Sequence, residues 1–313
     1  MLKIELSKFA KYLKKSVILI FMAFITASIL KVLVLNIFII PSSSMEDTIM
    51  EGDGIVVSKI HYGAQLFNIR LPGFSDIKRN DIIVFLNPLN NNENLLKRCI
   101  GLPGEKLSII KDQVIINSHK IEQPINSLNH YLIEAVNSQL LDSLLNKYKP
   151  RRVHQENANS IIVAFKPQDA ILFNNEAGIK VFHRTEILGN EPGIFPSDVN
   201  LGWNKDNYEP ITIPKKGLKL SINRSNILLY KKIITQYEKN IIEVNKSGIY
   251  INHKKSNFYI FKNDYYFFMG DNRNSSYDSR YLGFVPKKLI IGKAIYKIFS
   301  SNLNNVAYTF SRL

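Results

Sequence analysis

The sequence is poor in cysteine and lacks the short patterns that mark several enzyme classes. Cys99 is the single cysteine among 313 residues, so no intrachain disulfide can form and cysteine usage does not reveal the compartment. The six histidines are dispersed, and no H-E-x-x-H pattern or cysteine cluster accompanies them, so we expect no metal site. A P-loop and a dinucleotide fingerprint are also absent, and we therefore expect no cofactor.

Acidic residues are scarce relative to basic ones. The chain has 26 Asp and Glu against 41 Lys and Arg, which gives a formal net charge of +15. Such a surplus suits anionic lipid or nucleic acid. The lysines are scattered along a Lys-, Asn- and Ile-rich chain, however, and no finger, RNP-type or helix-turn-helix pattern accompanies them. We therefore expect no nucleic-acid partner.

Long apolar runs are also scarce, and only the first is long enough to concern a membrane. Basic residues dominate the first 15 positions, and an apolar run follows from Ser16 to Leu30, is interrupted by Lys31 and resumes to Ile40. A helix over Ser16–Ile39 would measure about 36 Å, enough to cross a bilayer core of about 30 Å. A helix ending at Lys31 would measure about 24 Å, with the lysine snorkelling to the interface.

Residues 1–31 are thus predicted to form a cytoplasmic tail and a transmembrane anchor. The positive flank predicts a single pass through the inner (plasma) membrane, with the N-terminus in the cytoplasm and the rest of the chain on the periplasmic or extracytoplasmic side. Two alternatives stay open. The segment could be a cleaved signal peptide, although no small-x-small site follows it, or a buried helix of a soluble domain.

The remainder of the chain favours a mainly β fold. Short β-branched runs bounded by Gly, Asn, Pro or charge predict strands at residues 55–59, 81–86, 95–100, 107–116, 248–252, 258–261, 265–269 and 289–299. A helix is predicted over about 127–148, where leucines recur at three-to-four spacing. Long helices in 150–263 are disfavoured by Pro192, Pro196, Pro210 and Pro214. The stretches 113–120 (QVIINSHK) and 248–255 (GIYINHKK) echo each other, and each predicts a strand, a turn and a second strand.

Three segments have the residue types of a catalytic site. They are Pro41–Met45 (PSSSM), Leu95–Gly104 (LLKRCIGLPG) and Met269–Phe284 (MGDNRNSSYDSRYLGF). Each one alone is more typical of a solvated turn, a surface strand or an ion-paired turn. In this order and after an N-terminal anchor, they resemble type I signal peptidases, over residues of about 31–109 and 240–299.

The resemblance implies a Ser/Lys endopeptidase. It assigns Ser44 as the nucleophile, Lys97 as the general base, the Ser42 hydroxyl with the Ser44 N–H as the oxyanion hole, and Ser276 as the group that orients the lysine. A serine hydroxyl needs such a base, because it is a weak nucleophile at neutral pH. In a strand, Lys97 shares a face with apolar Leu95 and Cys99, and burial among apolar groups lowers a lysine pKa.

Charged residues of the second and third segments are expected to support the site. The resemblance assigns this bracing role to Arg98, Asp271, Arg273, Asp278 and Arg280, with Asp271 paired to Arg98. Two positions depart from the family pattern: Ser43 stands where Gly is frequent, and Asp47 stands where Pro is usual. Cys99 is a possible alternative nucleophile, but a lone cysteine between apolar residues is more often a small buried hydrophobe.

The resemblance also implies the reaction and the architecture. The expected activity is removal of signal peptides from exported preproteins at the membrane surface, through an acyl-enzyme. The expected fold has a β-rich catalytic core from residues 32–109 and 264–313 and an inserted second domain at 110–263. A self-cleaving repressor with a Ser/Lys pair and a non-enzymatic, membrane-tethered β-protein are the alternatives. The oligomeric state and the preprotein range stay open.

Overall fold

The computed structural model describes residues 2–66, 69–90, 92–150, 153–183, 189–197, 201–302, 305–307 and 310–313. The strands are β1 (Leu35–Ile39), β2 (Gly54–Ser58), β3 (Gln65–Leu66), β4 (Ile69–Arg70), β5 (Ile82–Leu86), β6 (Asn94–Gly101), β7 (Lys106–Ile110), β8 (Gln113–Ile116), β9 (His119–Lys120), β10 (Asn129–Ala135), β11 (Val153–Asn157), β12 (Ser160–Phe165), β13 (Ile179–His183), β14 (Tyr208–Thr212), β15 (Lys219–Ser221), β16 (Ile242–Asn245), β17 (Gly248–Ile251), β18 (Lys254–Lys255), β19 (Phe258–Ile260), β20 (Tyr265–Met269), β21 (Val285–Pro286), β22 (Ile290–Asn302), β23 (Asn305–Ala307) and β24 (Ser311–Arg312). The α-helices are α1 (Leu2–Ile29), α2 (Ser138–Tyr148), α3 (Pro167–Asn174), α4 (Ile227–Lys232) and α5 (Ser279–Leu282). The chain is therefore mainly β after its N-terminal helix, as the sequence predicts.

The N-terminal helix α1 leads without a break into the β structure. A π-helical turn, Leu30–Val34, follows it, and Leu35 then takes extended backbone angles and opens β1. The helical segment thus passes Lys31 and ends before Ile39, so it lies between the two lengths considered from the sequence. Residues 11–34 have the length and composition of a membrane span, and their side chains are not buried. This exposure does not fit the alternative of a buried helix in a soluble domain, whereas the alternative of a cleaved signal peptide stays open.

A large sheet carries the second and third segments side by side. Within the described residues its strand order is β1-β2-β22-β5-β6-β20-β21, with β23 and β24 also paired to β22. Strand β6 lies between β5 and β20, so that Lys97 pairs with Ile83 and Arg98 pairs with Met269. The loop that follows Met269 therefore starts beside the Lys97–Arg98 pair.

Apolar side chains pack on both faces of this sheet. One cluster joins the turn after β1 to β2, β5, β6 and Ala294 of β22. A second cluster, on strands β5, β6 and β20, contains Phe85 and Phe268, whose rings stack with centroids 4.6 Å apart. A third and larger cluster extends from Ile100 through the sheet β14-β7-β8-β9 to Phe284. The division of the chain at 109/110 and 263/264 stays a prediction.

Residues 129–183, which we name the four-stranded module, have a core of their own. Among the described residues the strand order is β11-β12-β10-β13, and α2 and α3 pack against this sheet. The helix predicted over 127–148 is wrong in its first half, where β10 pairs on both sides with β12 and β13. Tyr131 and Ile133 are buried while Leu132 is half-buried, an alternation of period two that the leucine spacing obscures. The helix begins only after Asn137, whose side chain accepts the Leu140 N–H.

The two echoing stretches form β-hairpins, β8–β9 and β17–β18. Each has a two-residue turn with both central residues at positive φ, Asn117 (49°) and Ser118 (69°) in one, Asn252 (50°) and His253 (64°) in the other. These are the angles of a type I′ turn, whose twist matches that of the paired strands. The predicted strand–turn–strand pattern is confirmed at both places.

Candidate active site

Ser44 lies in a tight turn directly after β1. The Glu46 N–H donates to the Ser43 carbonyl at 3.1 Å, and the Ile49 N–H donates to the Met45 carbonyl at 2.8 Å. Met45 and Ile49 are buried in the core cluster under β2 and β5. Truncating either to Ala would cost about 2–5 kcal/mol. The turn is thus fixed to the core by side chains on the C-terminal side of the serine.

Lys97 points its amine at this turn from the middle of the sheet. Only 3% of the residue is exposed, and its Nζ donates to Ser44 Oγ at 2.6 Å and to the Leu96 carbonyl at 3.0 Å. Burial lowers the pKa of Lys97 to about 8, although nearby carboxylates such as Asp278 act in the opposite direction. A substantial fraction of this amine is therefore neutral near physiological pH and able to accept a proton.

The groups expected to form an oxyanion hole lie at the same turn. Ser42 is exposed, and its Oγ lies 3.4 Å from Ser44 Oγ. The Ser44 N–H donates no backbone hydrogen bond within the described residues. Ser43 has no positive φ, so the side chain that replaces the frequent glycine is tolerated there.

One buried carboxylate ties the second segment to the turn of residues 43–49, which we name the nucleophile turn after the predicted role of Ser44. Asp271 accepts two hydrogen bonds from Arg98, Nε to Oδ1 at 2.8 Å and Nη2 to Oδ2 at 2.6 Å. Thr48 Oγ1 donates to the same Oδ2 at 2.6 Å. Because the Asp271 side chain has no exposed surface, loss of the arginine would leave an uncompensated buried charge, at a cost of about 3–5 kcal/mol. The structure therefore brings the predicted Arg98–Asp271 pair together.

A second buried pair orders the loop after β20. Arg280 Nη2 and Asp278 Oδ2 are 2.9 Å apart, both side chains are fully buried, and Asp278 also accepts the Gly270 N–H at 3.0 Å. Burial is the largest influence on Asp278 and raises its pKa, but Arg280, the Gly270 N–H and the Ser276 hydroxyl together outweigh it, so the pKa of Asp278 is lowered. Arg273 lies nearby with its carbonyl accepting from Arg280 Nη2 at 2.5 Å. Burial lowers the pKa of Arg273, and its Nε and Nη1 have no hydrogen-bond partner within the described part of the chain.

Ser276 is close to the site but does not bond to the lysine. Its Oγ is buried and close enough to Asp278 to help lower the pKa of that carboxyl, but it makes no hydrogen bond to Lys97 within the described residues, so its role in orienting Lys97 stays a prediction. The space beside it is set by Gly270, since a Cβ there would lie 2.3 Å from Ser276 Oγ and 2.5 Å from the Ser44 carbonyl oxygen. Only glycine lets the third segment pass this close to the nucleophile turn.

Sequence reasoning missed the contribution of Asn272. Its N–H donates to the Ser44 carbonyl at 3.1 Å, and its Nδ2 donates to the Ser43 carbonyl and to Glu46 Oε2, both at 3.2 Å. Its place between Asp271 and an arginine in the third segment is the one signal that could have pointed to it. Asn272, in the loop that follows β20, therefore holds the nucleophile turn in place by hydrogen bonds.

The alternative nucleophile, Cys99, is in the wrong environment. The residue is fully buried, its Sγ lies 3.8 Å from the Gly101 carbonyl oxygen, and burial raises the pKa of its thiol well above the ordinary value. A thiolate is the reactive form, so this cysteine is unreactive at neutral pH. It behaves as a small core residue.

A serine hydroxyl in contact with a desolvated lysine amine, on a mainly β fold, is the arrangement of a serine hydrolase. The family model described as "Signal peptidase, peptidase S26" matches residues 13–168 and 211–299 of the chain. The chain belongs to this family, and it is a serine endopeptidase that removes signal peptides. The match extends beyond the part covered by the three segments and includes most of the four-stranded module.

Individual proteins with related sequences are named signal peptidase I. Signal peptidase I of Buchnera aphidicola subsp. Baizongia pistaciae is 29% identical over 293 residues, which cover 91% of this chain and 77% of that protein. Signal peptidase I of Rickettsia bellii (strain OSU 85-389) is 34% identical over 109 residues, 32% of this chain and 38% of that protein. A solved signal peptidase I from Enterococcus faecalis V583 is 19% identical, covers 70% of this chain and 97% of that chain, and has a TM-score of 0.27.

Proposed function

We propose that Ser44 and Lys97 are the catalytic pair of this signal peptidase. The observation that carries the proposal is the 2.6 Å contact between Ser44 Oγ and the buried amine of Lys97. This distance lies within the hydrogen-bond reach required of a nucleophile and its base. The lowered pKa of about 8 supplies the neutral amine that the reaction needs.

In the proposed reaction the neutral amine takes the proton of Ser44 as Oγ attacks the scissile carbonyl carbon. The tetrahedral intermediate collapses with loss of the leaving amine, which receives the proton from the Lys97 ammonium. Water then attacks the acyl-enzyme, again with Lys97 as base, and Ser44 is regenerated. The Ser44 N–H and the Ser42 hydroxyl donate to the oxyanion, and loss of one such donor costs about 3–4 kcal/mol in a serine protease of unrelated fold.

The proposed substrate is an exported preprotein that is held in the bilayer by its own signal sequence. Family resemblance implies small residues at the cleavage site, bound in extended form in the Ala-x-Ala manner. We propose that residues 11–34 cross the membrane once, with the N-terminus in the cytoplasm and Ser44 on the periplasmic or extracytoplasmic side. The surplus of basic residues over the first 15 positions, at the N-terminal end of this helix, supports this orientation.

The proposal is tested with the purified full chain in detergent and a preprotein substrate. Ser44→Ala and Lys97→Ala should each lower the cleavage rate by about 10⁴-fold or more, since members of a catalytic unit are individually indispensable. Lys120→Ala, which changes an exposed lysine of a β-hairpin, is the matched control and should cleave at the rate of the unaltered chain.

If cleavage continues after substitution of either Ser44 or Lys97, the proposal that these two residues are the catalytic pair is wrong. Intramolecular cleavage of the chain itself, without turnover of added preprotein, would favour the self-cleaving alternative. An inactive unaltered chain that still promotes assembly of another envelope protein would favour the non-enzymatic one.

A further inference from the structure

An ion pair connects the four-stranded module to the nucleophile turn. Lys166 Nζ lies 2.9 Å from Asp47 Oδ2, and the two side chains are 26% and 7% exposed. The aspartate is nearly buried and the lysine partly so; the pair is therefore less screened than a surface ion pair, and loss of the lysine removes a charge partner from Asp47. Asp47 is three residues beyond Ser44, at the end of the turn that carries the serine.

The backbone at Asp47 has an uncommon conformation. Its φ is 72°, in the left-handed region that aspartate tolerates and that proline, with φ near −65°, cannot adopt. The usual proline at this position would restrict the turn by its ring alone. Here contacts hold the turn, and one of them, the contact with Lys166, reaches it from outside the large sheet that carries Lys97.

Lys166 is a rigid support for this contact. It stands between the last residue of β12, Phe165, and the first residue of α3, Pro167, and its carbonyl accepts the Ala170 N–H at 3.1 Å. Phe165 and Ala170 are both buried in the core of the module. The lysine backbone is thus held on both sides, so that its side chain starts from a fixed point within reach of Asp47.

A second connection runs in parallel with the ion pair. The residue before β10, Leu128, donates its N–H to the Asp271 carbonyl at 2.9 Å and accepts the Arg273 N–H at 3.1 Å. The module is therefore attached at two points, to the turn that carries Ser44 and to the loop that supports it.

We propose that Lys166 is a positioning residue of the reaction: through Asp47 the four-stranded module holds the turn in the conformation in which Ser44 Oγ meets Lys97. The inference rests on the proposed catalytic pair. It gives this module, which contributes none of the predicted site residues, a function in catalysis.

The test compares full-length variants in preprotein cleavage, with kcat and KM measured separately. Asp47→Asn keeps a residue that tolerates positive φ and removes the charge, and Lys166→Met keeps an unbranched stem. Each should lower kcat about tenfold or more with little change in KM, since small misplacement of a reacting group is costly. Lys166→Arg should retain most of the rate.

A double variant separates a specific pair from general damage. If the two residues act through each other, Asp47→Asn with Lys166→Met should be no slower than the slower single variant. Lys147→Met is the matched control, because it breaks the Lys147–Glu176 ion pair on the same module without touching the turn. It should leave kcat unchanged.

The inference is overturned if the two single losses multiply in the double variant, if kcat stays at the unaltered value, or if Lys147→Met loses as much. A loss of kcat that follows the midpoint of thermal unfolding across the set would also overturn it. Failure of the catalytic pair would look different, because Ser44→Ala would then still cleave, whatever the result at Lys166.

Discussion

At the residue scale, the proposed cleavage reaction depends on Lys97, and burial sets the pKa of its amine. The pKa of Lys97 is lowered to about 8, and only the neutral amine can accept the Ser44 proton. We therefore expect kcat/KM to rise as the pH increases through about 8 and to level off above it. Initial rates of preprotein cleavage across this range measure the profile. A rate that is independent of pH around 8, or one that keeps rising to the ordinary lysine pKa, would contradict the assignment.

The lowered pKa of Lys97 also predicts that the free energy of unfolding depends on pH. Because the pKa of Lys97 is lower in the folded chain than the ordinary 10.5, the unfolded chain binds more protons between about pH 8 and 10.5, and stability should rise with pH across this window. Below it, the folded chain carries a poorly solvated ammonium at a cost of about 3 kcal/mol. Lys97→Met should therefore raise the free energy of unfolding at neutral pH while abolishing cleavage.

Chemical denaturation of both proteins at two pH values measures this effect. The stabilisation by Lys97→Met should be largest at neutral pH and should shrink as the pH approaches 10.5, and Lys120→Met serves as the control with an exposed lysine. A destabilised Lys97→Met chain at neutral pH would mean that the contacts with Ser44 and the Leu96 carbonyl outweigh the desolvation of the amine.

At the scale of elements, strands were easier to predict than the contacts between loops. The β-branched runs predict β2, β5, β6 and β20 to within a residue or two of their observed ends. The helix prediction over 127–148 is wrong where β10 pairs with β12 and β13. Both partner strands lie far along the chain, so local spacing does not reveal them. The anchor helix ends at a π-helical turn for which no proline or glycine gives a signal.

In the site, too, residues within motifs could be predicted, whereas contacts between residues far apart in the chain could not. Ser44, Lys97 and the Arg98–Asp271 pair could be assigned from motif order. The bonds of Thr48 to Asp271, and of Asn272 to the nucleophile turn, join residues more than 200 positions apart. No periodicity or spacing encodes such contacts, so they become visible only when the sheet places β6 beside β20.

Asn272 offers a test of this loop-to-loop contact. Asn272→Asp keeps the shape of the side chain but removes the Nδ2 donor and places a carboxylate against the Ser43 carbonyl and Glu46. We expect kcat to fall about 10- to 100-fold, because the turn that carries Ser44 is displaced. The control is Asn274→Asp in the same loop, where the Oδ1 atom has no hydrogen-bond partner among the described residues. Equal losses in the two variants would indicate general damage to the loop.

At the scale of the whole molecule, the anchor and the site are joined by very little chain. Ser44 lies ten residues beyond Val34, a stretch that spans at most about 36 Å when extended. Five of these residues form β1, which is paired along its length with β2. Half of the path from the helix to Ser44 is thus part of the sheet, so Ser44 is held at a short reach from the end of the proposed membrane span.

The orientation of this arrangement can be tested with single cysteines. The native Cys99 is fully buried, so the folded chain should give almost no background with a membrane-impermeant maleimide. Introduced separately into cells, Lys8→Cys should react only after the membrane is permeabilised, whereas Ser247→Cys, on an exposed turn, should react in intact spheroplasts. Denatured unaltered chain, in which Cys99 becomes accessible, is the positive control for labelling. Reaction of Lys8→Cys in intact spheroplasts would place the N-terminus outside, and Ser44 would then face the cytoplasm, where no signal peptide emerges.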